Sequence, residues 1–314
     1  MGFPALRARP GRRTRRAAVL ATAAAILCTG GVVACGAEGG GADGGGAAEL
    51  LAAGDIAECD HGGDEATARI LAEHRRATIA ALGDLAYQHG SHEDFERCFG
   101  PSWGRFRDRI RPATGNHDHA TRRAAGYARY FGKRAAAGDG FRYSYDVGQW
   151  HVVVLDSDCW RVGGCGPADP QARWLRADLR RHARRCTLAY WHRPPFSSGR
   201  YGDPEDTARV RPLWRTAVEA GVDVVLTGHE HSYERFAPMD AEGTADPRGT
   251  RLFIVGTGGG NLRRYRRPRL QTTQVRNDDT WGVLRLTLRA TGYAWRFLPV
   301  RGARFADAGS GRCH

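Results

Sequence analysis

The chain of 314 residues is long enough for one large α/β domain with additional segments, and its formal net charge is +13. The charge does not establish nucleic-acid binding, because six of the arginines lie in residues 1–34, which contain no acidic residue, and the others are scattered. We interpret the remaining charge as a solvated surface that attracts anionic substrates. Beyond the N-terminal region no run of about 18 apolar residues occurs, so no transmembrane helix is expected in the mature part.

The N-terminal region predicts an export signal followed by a tether. Within residues 1–34, basic residues precede an apolar stretch, which is typical of an export signal. Residues 32–35 resemble a bacterial lipobox in which Cys35 is the lipidated residue. Residues 35–48 are mostly Gly, Ala and acidic residues and predict a flexible tether. We therefore expect an exported protein, either held at the extracellular face of the cell membrane by a lipid on Cys35 or, if the signal is simply cleaved, secreted.

Strand and helix patterns alternate along residues 49–314, which we interpret as a single domain. The predicted elements, in chain order, are a strand at 49–53, a helix at 64–77, strands at 78–82 and 110–114, a hairpin of 141–147 and 150–155, a helix at 170–182, a strand at 187–191, a helix at 208–220, and strands at 222–226, 251–255, 283–288 and 293–298. Alternating strands and helices followed by late hairpins favour a sheet-based α/β domain. The sequence shows neither an internal repeat nor a second domain boundary.

The chain contains eight cysteines, of which six remain once Cys28 is removed with the signal and Cys35 is lipidated. An even number of cysteines in an exported domain favours disulfides over thiol chemistry. The expected pairs are Cys159 with Cys165, Cys59 with Cys98, and Cys186 with Cys313. Only the first pair follows from its spacing around a glycine-containing turn, and the other two are one choice among the many pairings that six cysteines allow.

Five predicted strands are followed by polar residues that suit metal binding. In chain order these residues are Asp55, Asp84 with Tyr87, Asn116 with His117, His192, and His229 with His231. Open α/β sheets place their sites at the carboxyl ends of strands, and residues i and i+2 of an extended tip point the same way, which makes His229 and His231 a usable pair. Carboxylate, imidazole, amide and phenolate donors suit Zn, Mn or Fe, and a carboxylate can bridge two such ions.

The order of these residues resembles that of the calcineurin-like metallophosphoesterases, and more closely that of the purple acid phosphatase branch. The matching motifs, over roughly residues 50–300, are Gly54-Asp55, Gly83-Asp84-Leu85-Ala86-Tyr87, Gly115-Asn116-His117-Asp118, His192, and Gly228-His229-Glu230-His231. Each motif alone is weakly specific, whereas five in the same order are strongly specific. The resemblance implies a four-layer α/β/β/α sandwich of two mixed sheets flanked by helices.

The resemblance also implies a role for each of these residues. Two metal ions are expected, the first held by Asp55, Asp84, Tyr87 and His231 and the second by Asp84, Asn116, His192 and His229. Asp84 would then bridge the two ions. His117 would lie near the substrate, where it stabilises the phosphoryl group or protonates the leaving oxygen, and Asp118 would orient His117 and raise its pKa.

One substitution points to the purple acid phosphatase branch. Ala57 stands where many relatives carry a ligand histidine, and in that branch a tyrosine corresponding to Tyr87 supplies the missing ligand. Because a phenolate is a hard donor that favours ferric iron, the resemblance implies Fe together with a divalent ion, either Zn, Mn or Fe. The alternative interpretation is that Tyr87 is a buried packing residue.

The sequence departs from the plant enzymes after His192, where those enzymes carry further histidines. Residues 193–200 offer Arg193, Ser197, Ser198 and Arg200 instead. We hypothesise that Arg200 binds phosphate, because a guanidinium group binds phosphate oxygens bidentately, and a solvated loop arginine is the alternative. His119 is expected in a surface loop, and residues 256–260 are expected to form a tight turn beside the ligand loops.

These features predict a hydrolase, and the resemblance implies that it cleaves phosphate esters, preferably phosphomonoesters, by in-line attack of a metal-bridging hydroxide. The expected partner is a small phosphate-ester substrate, with no nucleic acid, and with contact to a membrane only through the lipid at Cys35. Two alternatives remain open. One is a phosphodiesterase or nucleotide hydrolase that uses the same site, and the other is a catalytically silent, lipid-tethered binding protein, which would be expected to have lost ligand residues.

Overall fold

The computed structural model describes residues 1–2, 46–136, 140–183 and 186–314. Contacts divide the chain into two units, Met1–Ala42 and Asp43–His314, and the fold below is that of the second unit. The predicted export signal, the lipidation site at Cys35 and most of the predicted tether lie outside the described residues. Within the described ranges, none of the helices has the length and apolar character needed to span a membrane.

The described part of the second unit contains strands and α-helices that alternate up to residue 219 and strands alone after it. The strands are β1 (Ala48–Ala53), β2 (Thr78–Leu82), β3 (Ile110–Ala113), β4 (Tyr143–Val147), β5 (Trp150–Val154), β6 (Cys186–Tyr190), β7 (Val224–Thr227), β8 (Tyr233–Met239), β9 (Thr250–Val255), β10 (Thr273–Asn277), β11 (Gly282–Arg289), β12 (Gly292–Pro299) and β13 (Ala308–Arg312). The helices are α1 (Gly63–Glu73), α2 (His92–Asp94), α3 (Ala125–Phe131), α4 (Pro170–Arg181), α5 (Pro204–Ala208) and α6 (Arg211–Glu219).

These strands form two sheets. The six-stranded sheet has the order β13-β12-β11-β1-β2-β3, and the seven-stranded sheet has the order β10-β8-β9-β7-β6-β5-β4. Neighbours are parallel through β1, β2 and β3 in the first sheet and through β5, β6, β7 and β9 in the second, whereas the outer strands pair antiparallel. Both sheets are therefore mixed and helices flank them, which confirms the predicted fold class.

Alternate residues of the seven-stranded sheet pack into two different apolar clusters. Leu188 and Tyr190 of β6 belong to the larger cluster, which also contains the apolar residues of β1, β2 and α1. Ala189, between them, belongs to the smaller cluster with Leu175 of α4 and Leu213 of α6. Because successive side chains of a strand point to opposite faces, one face of this sheet packs toward the six-stranded sheet and the other is covered by α4 and α6. Burial on both faces explains the continuous apolar runs that predicted the central strands.

The ten predicted strands are all found, with boundaries within two residues of the prediction. The predicted helix at 208–220 corresponds to α6, which begins later than predicted, at Arg211, while the short helix α5 ends at Ala208. Pro212 lies in the first turn of α6. A proline has no amide hydrogen to donate, so it fits the start of a helix and disrupts the interior.

All three expected disulfides are present, between Cys59 and Cys98, Cys159 and Cys165, and Cys186 and Cys313. The first joins the loop after β1 to the helical segment that precedes β3. The third joins the first residue of β6 to the residue after β13, so it connects the two sheets. These cross-links are typical of a protein that folds in an oxidising compartment.

Candidate metal centre

The predicted ligands lie just beyond the carboxyl ends of five strands. Asp55 follows β1, Asp84 follows β2, Asn116 follows β3, His192 follows β6 and His229 follows β7. The first three strands are neighbours in the six-stranded sheet, and the last two are neighbours in the seven-stranded sheet. Each sheet therefore brings part of the donor set to its own edge, as open α/β sheets do.

Asp55, Tyr87 and His231 form a first group of donors. The Tyr87 hydroxyl lies 3.0 Å from Oδ1 of Asp55 and 2.9 Å from Nε2 of His231, and that nitrogen lies 3.3 Å from the same Asp55 oxygen. All three side chains are buried. Three donors separated by about 3 Å from one another have the spacing of ligands to a single transition-metal ion.

Asp84, His192 and His229 form a second group. Nε2 of His192 lies 3.1 Å from Oδ2 of Asp84 and 3.2 Å from Nδ1 of His229, and one ligand atom from each residue lies within 4.8 Å of the others. Oδ2 of Asp84 is also 3.4 Å from the Tyr87 hydroxyl, so Asp84 faces both groups. A carboxylate in this position can bridge two cations.

Backbone carbonyls fix the rings of two of the histidines. Nδ1 of His192 lies 2.9 Å from the carbonyl oxygen of Leu82, and Nδ1 of His231 lies 2.7 Å from that of Asn261. When Nδ1 carries the hydrogen and donates it to a carbonyl oxygen, Nε2 carries no hydrogen and has a free lone pair. In both residues Nε2 faces the donor group, so the two loops hold the rings in the tautomer that binds a metal.

The side-chain oxygen of Asn116 is buried and has no hydrogen-bond partner within the described residues. A buried polar atom without a partner costs free energy unless a ligand satisfies it, and an amide oxygen is a donor that hard cations accept. The preceding Gly115 makes the close approach of this loop to Asp84 feasible, since a Cβ there would lie 2.3 Å from Oδ1 of Asp84. Asn116 thus fits the second group.

Four of these donors have left-handed backbone conformations. Their φ angles are 58° for Asp55, 51° for Asp84, 73° for His229 and 46° for His231. Such a conformation costs a non-glycine residue about 1–3 kcal/mol and is concentrated at functional sites. The loops therefore hold these side chains in positions that local backbone preference would not select.

Burial and neighbouring charges shift the pKa values of Asp84, His192 and Tyr87. Burial raises the pKa of Asp84 and lowers that of His192, but the two groups stabilise each other's charged forms, so the pKa of Asp84 falls below its usual range and the pKa of His192 rises to about 9. Burial, then the carboxylates of Asp55 and Asp84, raise the pKa of Tyr87 well above its usual value. A cation beside the phenol would oppose this shift and favour the phenolate.

Taken together, the donors fit a dinuclear centre. They comprise two carboxylates, a phenol, an amide oxygen and three imidazoles, namely Asp55, Asp84, Tyr87, Asn116, His192, His229 and His231. Oxygen and nitrogen donors of this kind suit Fe, Zn or Mn, and the orphaned amide oxygen of Asn116 is the observation in this structure that calls for a cation.

His117 and Asp118 occupy different environments. The His117 ring is half-buried and packs edge-on against Tyr87 with 4.6 Å between ring centroids, and its Nδ1 lies 2.6 Å from the carbonyl oxygen of Gln88. The expectation that Asp118 orients this ring is wrong. The carboxylate of Asp118 is fully buried and accepts from the backbone N–H groups of Leu85 and Gly115, at 3.2 and 2.8 Å. Asp118 therefore joins the loop after β2 to the loop after β3.

Arg193, which was not predicted as a site residue, lies closer to the donors than Arg200. The Arg200 side chain is exposed and has neither a hydrogen bond nor an ion pair within the described part of the chain. By contrast, Nη1 of Arg193 lies 3.1 Å from Nε2 of His229, and its Nε donates to Asp158 at 2.9 Å. The position directly after the ligand His192 was the signal in the sequence that could have identified Arg193.

His119 is buried, which contradicts the surface loop expected for it. Its Nε2 lies 2.7 Å from Oδ2 of Asp156, and Asp158 completes a buried cluster of three ionisable groups.

The glycine run 256–260 does form a turn beside the donors, because the N–H groups of Gly258 and Gly260 donate to the carbonyls of Gly54 and Asp55.

Comparisons with curated proteins find sequence similarity to acid phosphatases. Among curated proteins, purple acid phosphatase 21 of Arabidopsis thaliana is 33% identical over 157 residues, which cover 46% of this chain and 33% of that protein. Acid phosphatase type 7 of Homo sapiens is 29% identical over 146 residues, which cover 40% of this chain and 32% of that protein. The chain thus matches about a third of the length of these relatives.

A solved structure shares the fold of this chain, and a family model matches its sequence. The purple acid phosphatase from yellow lupin (Lupinus luteus) seeds superposes with a TM-score of 0.67 over 85% of this chain and 54% of that one, at 17% identity, which shows a common fold. The family model described as calcineurin-like phosphoesterase matches residues 49–233, which carry every predicted ligand. The chain therefore belongs to the calcineurin-like phosphoesterase family.

Proposed function

We propose that this chain hydrolyses phosphate monoesters at a dinuclear metal centre. The observation that carries the proposal is the position of Asp84. Its carboxylate faces Tyr87 of the first group and also His192 and His229 of the second group. Family membership supports a metal-dependent phosphoesterase, and similarity to purple acid phosphatases supports the preference for monoesters.

The proposed ligands divide between the two groups described above. The first ion is held by Asp55, Asp84, Tyr87 and His231, and the second by Asp84, Asn116, His192 and His229. The phenolic oxygen of Tyr87 favours ferric iron in the first position, with a divalent ion, Zn, Mn or Fe, in the second. When bound, the two ions supply an activated water and positive charge for the oxygens of the phosphoryl group.

The side chains around the donors have separate tasks in this proposal. His117 keeps Nε2 directed away from the carbonyl that holds Nδ1, so this atom can carry a proton to the leaving oxygen. Arg193 binds a phosphoryl oxygen, because Asp158 holds its Nε while Nη1 reaches the edge of the second group. Asp118 positions the loops after β2 and β3, because its carboxylate accepts hydrogen bonds from the backbone N–H groups of Leu85 and Gly115.

We also propose that the protein acts outside the cytoplasm. The three disulfides support an oxidising compartment. In this proposal residues 1–34 are an export signal, residues 35–48 are a tether that begins at a lipidated Cys35, and residues 49–314 are the phosphoesterase domain. Mass spectrometry of the mature N-terminus in cells would decide between a lipid anchor and simple secretion.

The test of the proposed activity is hydrolysis of p-nitrophenyl phosphate by the full chain, together with elemental analysis of the purified protein. We expect about two metal ions per chain and turnover in the wild type. Asp84→Asn should lower kcat by about a hundredfold or more and reduce the bound metal, whereas Asp206→Asn, a change at an exposed carboxylate, should alter neither. A protein that binds both ions and hydrolyses no ester would favour the catalytically silent alternative.

The preference for monoesters has its own test. We expect the wild type to cleave p-nitrophenyl phosphate faster than bis(p-nitrophenyl) phosphate, and His117→Asn to lower the monoester rate by about a hundredfold. The reverse order of the two substrates would establish the phosphodiesterase alternative at the same site.

A further inference from the structure

A cavity of about 890 Å³ includes His119, three residues after the proposed ligand Asn116, in its lining. Three arginines line it, Arg122, Arg123 and Arg161, together with Trp160, and none of its lining residues is acidic. A concave site of this volume is large enough for a small organic ligand.

The three guanidinium groups of the cavity are free to bind an anion. Arg122, Arg123 and Arg161 are exposed, and within the described ranges their side chains form neither a hydrogen bond nor an ion pair. Several unpaired positive charges in one concavity raise the local concentration of anions. A guanidinium group is planar and matches two oxygens of a phosphate, so three of them favour phosphate over a singly charged carboxylate.

Backbone strain is concentrated at the same place. Arg123 and Ala124 are consecutive non-glycine residues with left-handed φ angles of 55° and 49°. L-residues avoid this conformation, and two in succession persist only where the surrounding structure holds them. Ala124 is fully buried, so its packing fixes the strained backbone from which the Arg122 and Arg123 side chains extend.

Arg193 connects this cavity with the metal centre. Its guanidinium carbon lies 5.5 Å from the centroid of the Trp160 ring, which lines the cavity, while its Nη1 lies 3.1 Å from Nε2 of His229. A substrate whose phosphoryl group contacts the metal centre and Arg193 would therefore direct the remainder of the molecule toward Trp160 and the three arginines.

We propose that the cavity is a leaving-group subsite, and that the substrates are phosphate esters whose leaving group carries a second phosphate. The first phosphate occupies the metal centre, and the second is bound by Arg161 and by the Arg122 and Arg123 pair. This inference rests on the proposed hydrolysis for its substrate class, whereas the binding of a second phosphate does not depend on turnover.

The kinetic test compares hexanediol bisphosphate with hexyl phosphate, which differ only in the second phosphate. We expect the wild type to have the higher kcat/KM for the bisphosphate. Arg161→Gln should reduce the ratio of the two kcat/KM values by about tenfold or more, the effect of losing a hydrogen bond to a charged group. Arg69→Gln removes the same charge from an exposed position of α1 and should leave the ratio unchanged.

A binding test separates failure of the subsite from failure of the proposed function. Hexane bisphosphonate and hexylphosphonate cannot be hydrolysed, so calorimetry on the metal-loaded full chain measures the same preference without turnover. If the wild type cleaves neither ester, the proposed function fails and the calorimetric ratio still decides the subsite. Equal affinity for the two phosphonates, or equal losses in Arg161→Gln and Arg69→Gln, would overturn the subsite.

Discussion

The hydroxyl group of Tyr87 lies within 3.4 Å of three other predicted ligands, Asp55, Asp84 and His231. Burial and the two carboxylates raise the pKa of this phenol, so the proton stays on the oxygen unless a cation opposes them. In the proposed centre this oxygen would discriminate between metal ions more than the histidines, which many divalent ions accept.

We expect Tyr87→Phe to abolish the visible absorption of the iron-loaded protein, because the phenolate that donates charge to ferric iron is gone. The bound iron should also fall by about tenfold relative to the other metal. Absorption spectra and elemental analysis of the purified variant check both results.

Tyr127→Phe is the matched control for this change. Tyr127 is also fully buried and donates to the carbonyl oxygen of Pro112 at 2.9 Å, so the control loses a buried hydrogen bond of the same kind away from the donors. It should keep the visible band. A band that survives Tyr87→Phe would show that Tyr87 is a packing residue, the alternative left open by the sequence.

The buried pair of His119 and Asp156 predicts a stability that depends on pH. Burial lowers the pKa of His119, but the hydrogen bond and charge of Asp156 raise it further, so the folded pKa lies above the ordinary value of 6.5. A raised pKa contributes stability that is fully present below the unfolded value and is lost as the pH rises through the folded value.

His119→Gln should therefore destabilise the protein most at low pH, by about 1–3 kcal/mol, and less as the pH is raised above 6.5. Urea denaturation of wild type and variant between mildly acidic and mildly alkaline pH measures the difference in unfolding free energy. A difference that does not change with pH would mean that folding leaves the pKa of His119 unchanged.

The site residues that sequence could identify are those fixed by short motifs. Asp84 and His231 follow strands in recognisable glycine-containing runs, because a carboxylate or imidazole must leave the strand at a tight turn to reach the ion. Asp118 also lies in such a run and Arg193 directly follows the ligand His192, but the sequence does not show which residues they contact. Their roles depend on contacts with Asp158 and with Leu85 from distant parts of the chain, and such contacts become visible only when the fold has formed.

The three described strands that the sequence did not predict, β8, β10 and β13, lack a continuous apolar pattern. β10 reads Thr-Gln-Val-Arg-Asn and β13 reads Ala-Gly-Ser-Gly-Arg, and both are edge strands stabilised by pairing with one neighbour. β8 contains the buried pair Glu234 and Arg235, which interrupt its hydrophobic character. Hydrogen bonds from Ser198 and Thr273 satisfy Glu234, so tertiary contacts override a composition that does not favour a strand.

The contribution of each disulfide to the free energy of unfolding should depend on the length of the loop that it closes. Cys186 and Cys313 are 127 residues apart in sequence, whereas Cys159 and Cys165 are 6 apart. In the chain-entropy account, replacing both cysteines of the long loop by serine costs about 5 kcal/mol, and the same change in the short loop costs about 2–3 kcal/mol.

Urea denaturation of the two double variants, Cys186→Ser with Cys313→Ser and Cys159→Ser with Cys165→Ser, measures this difference. Since the long-loop disulfide also joins the two sheets, its loss should lower the midpoint of a single cooperative transition. Equal losses in the two variants would contradict the entropic explanation.

At the scale of the whole molecule, donors from two sheets converge on one centre, so metal binding should stabilise the fold. An ion present at 100–1000 times its Kd adds about 2.7–4.1 kcal/mol. For a domain of this size that corresponds to a change in Tm of about 5–15 °C. We expect chelation to lower Tm by this amount and added metal to restore it, as measured by calorimetry.

Asp84→Asn provides the control for the chelation experiment, because it removes the carboxylate that faces both donor groups. Its Tm should respond much less to the chelator than that of the wild type. A wild-type Tm that is insensitive to chelation would mean that the two sheets are held together without help from the ions.

The place of β1 in its sheet has a consequence for biosynthesis. β1 pairs with β2 on one side, from Leu50 onward, and with β11 on the other, where the partner of Ala48 is Leu288. A ribosome that has made the first three strands has therefore supplied Asp55 and Asp84 without the strand that completes their support. Pairing between strands this distant in sequence slows folding, and β1 gains its second neighbour only after the chain has been made as far as β11.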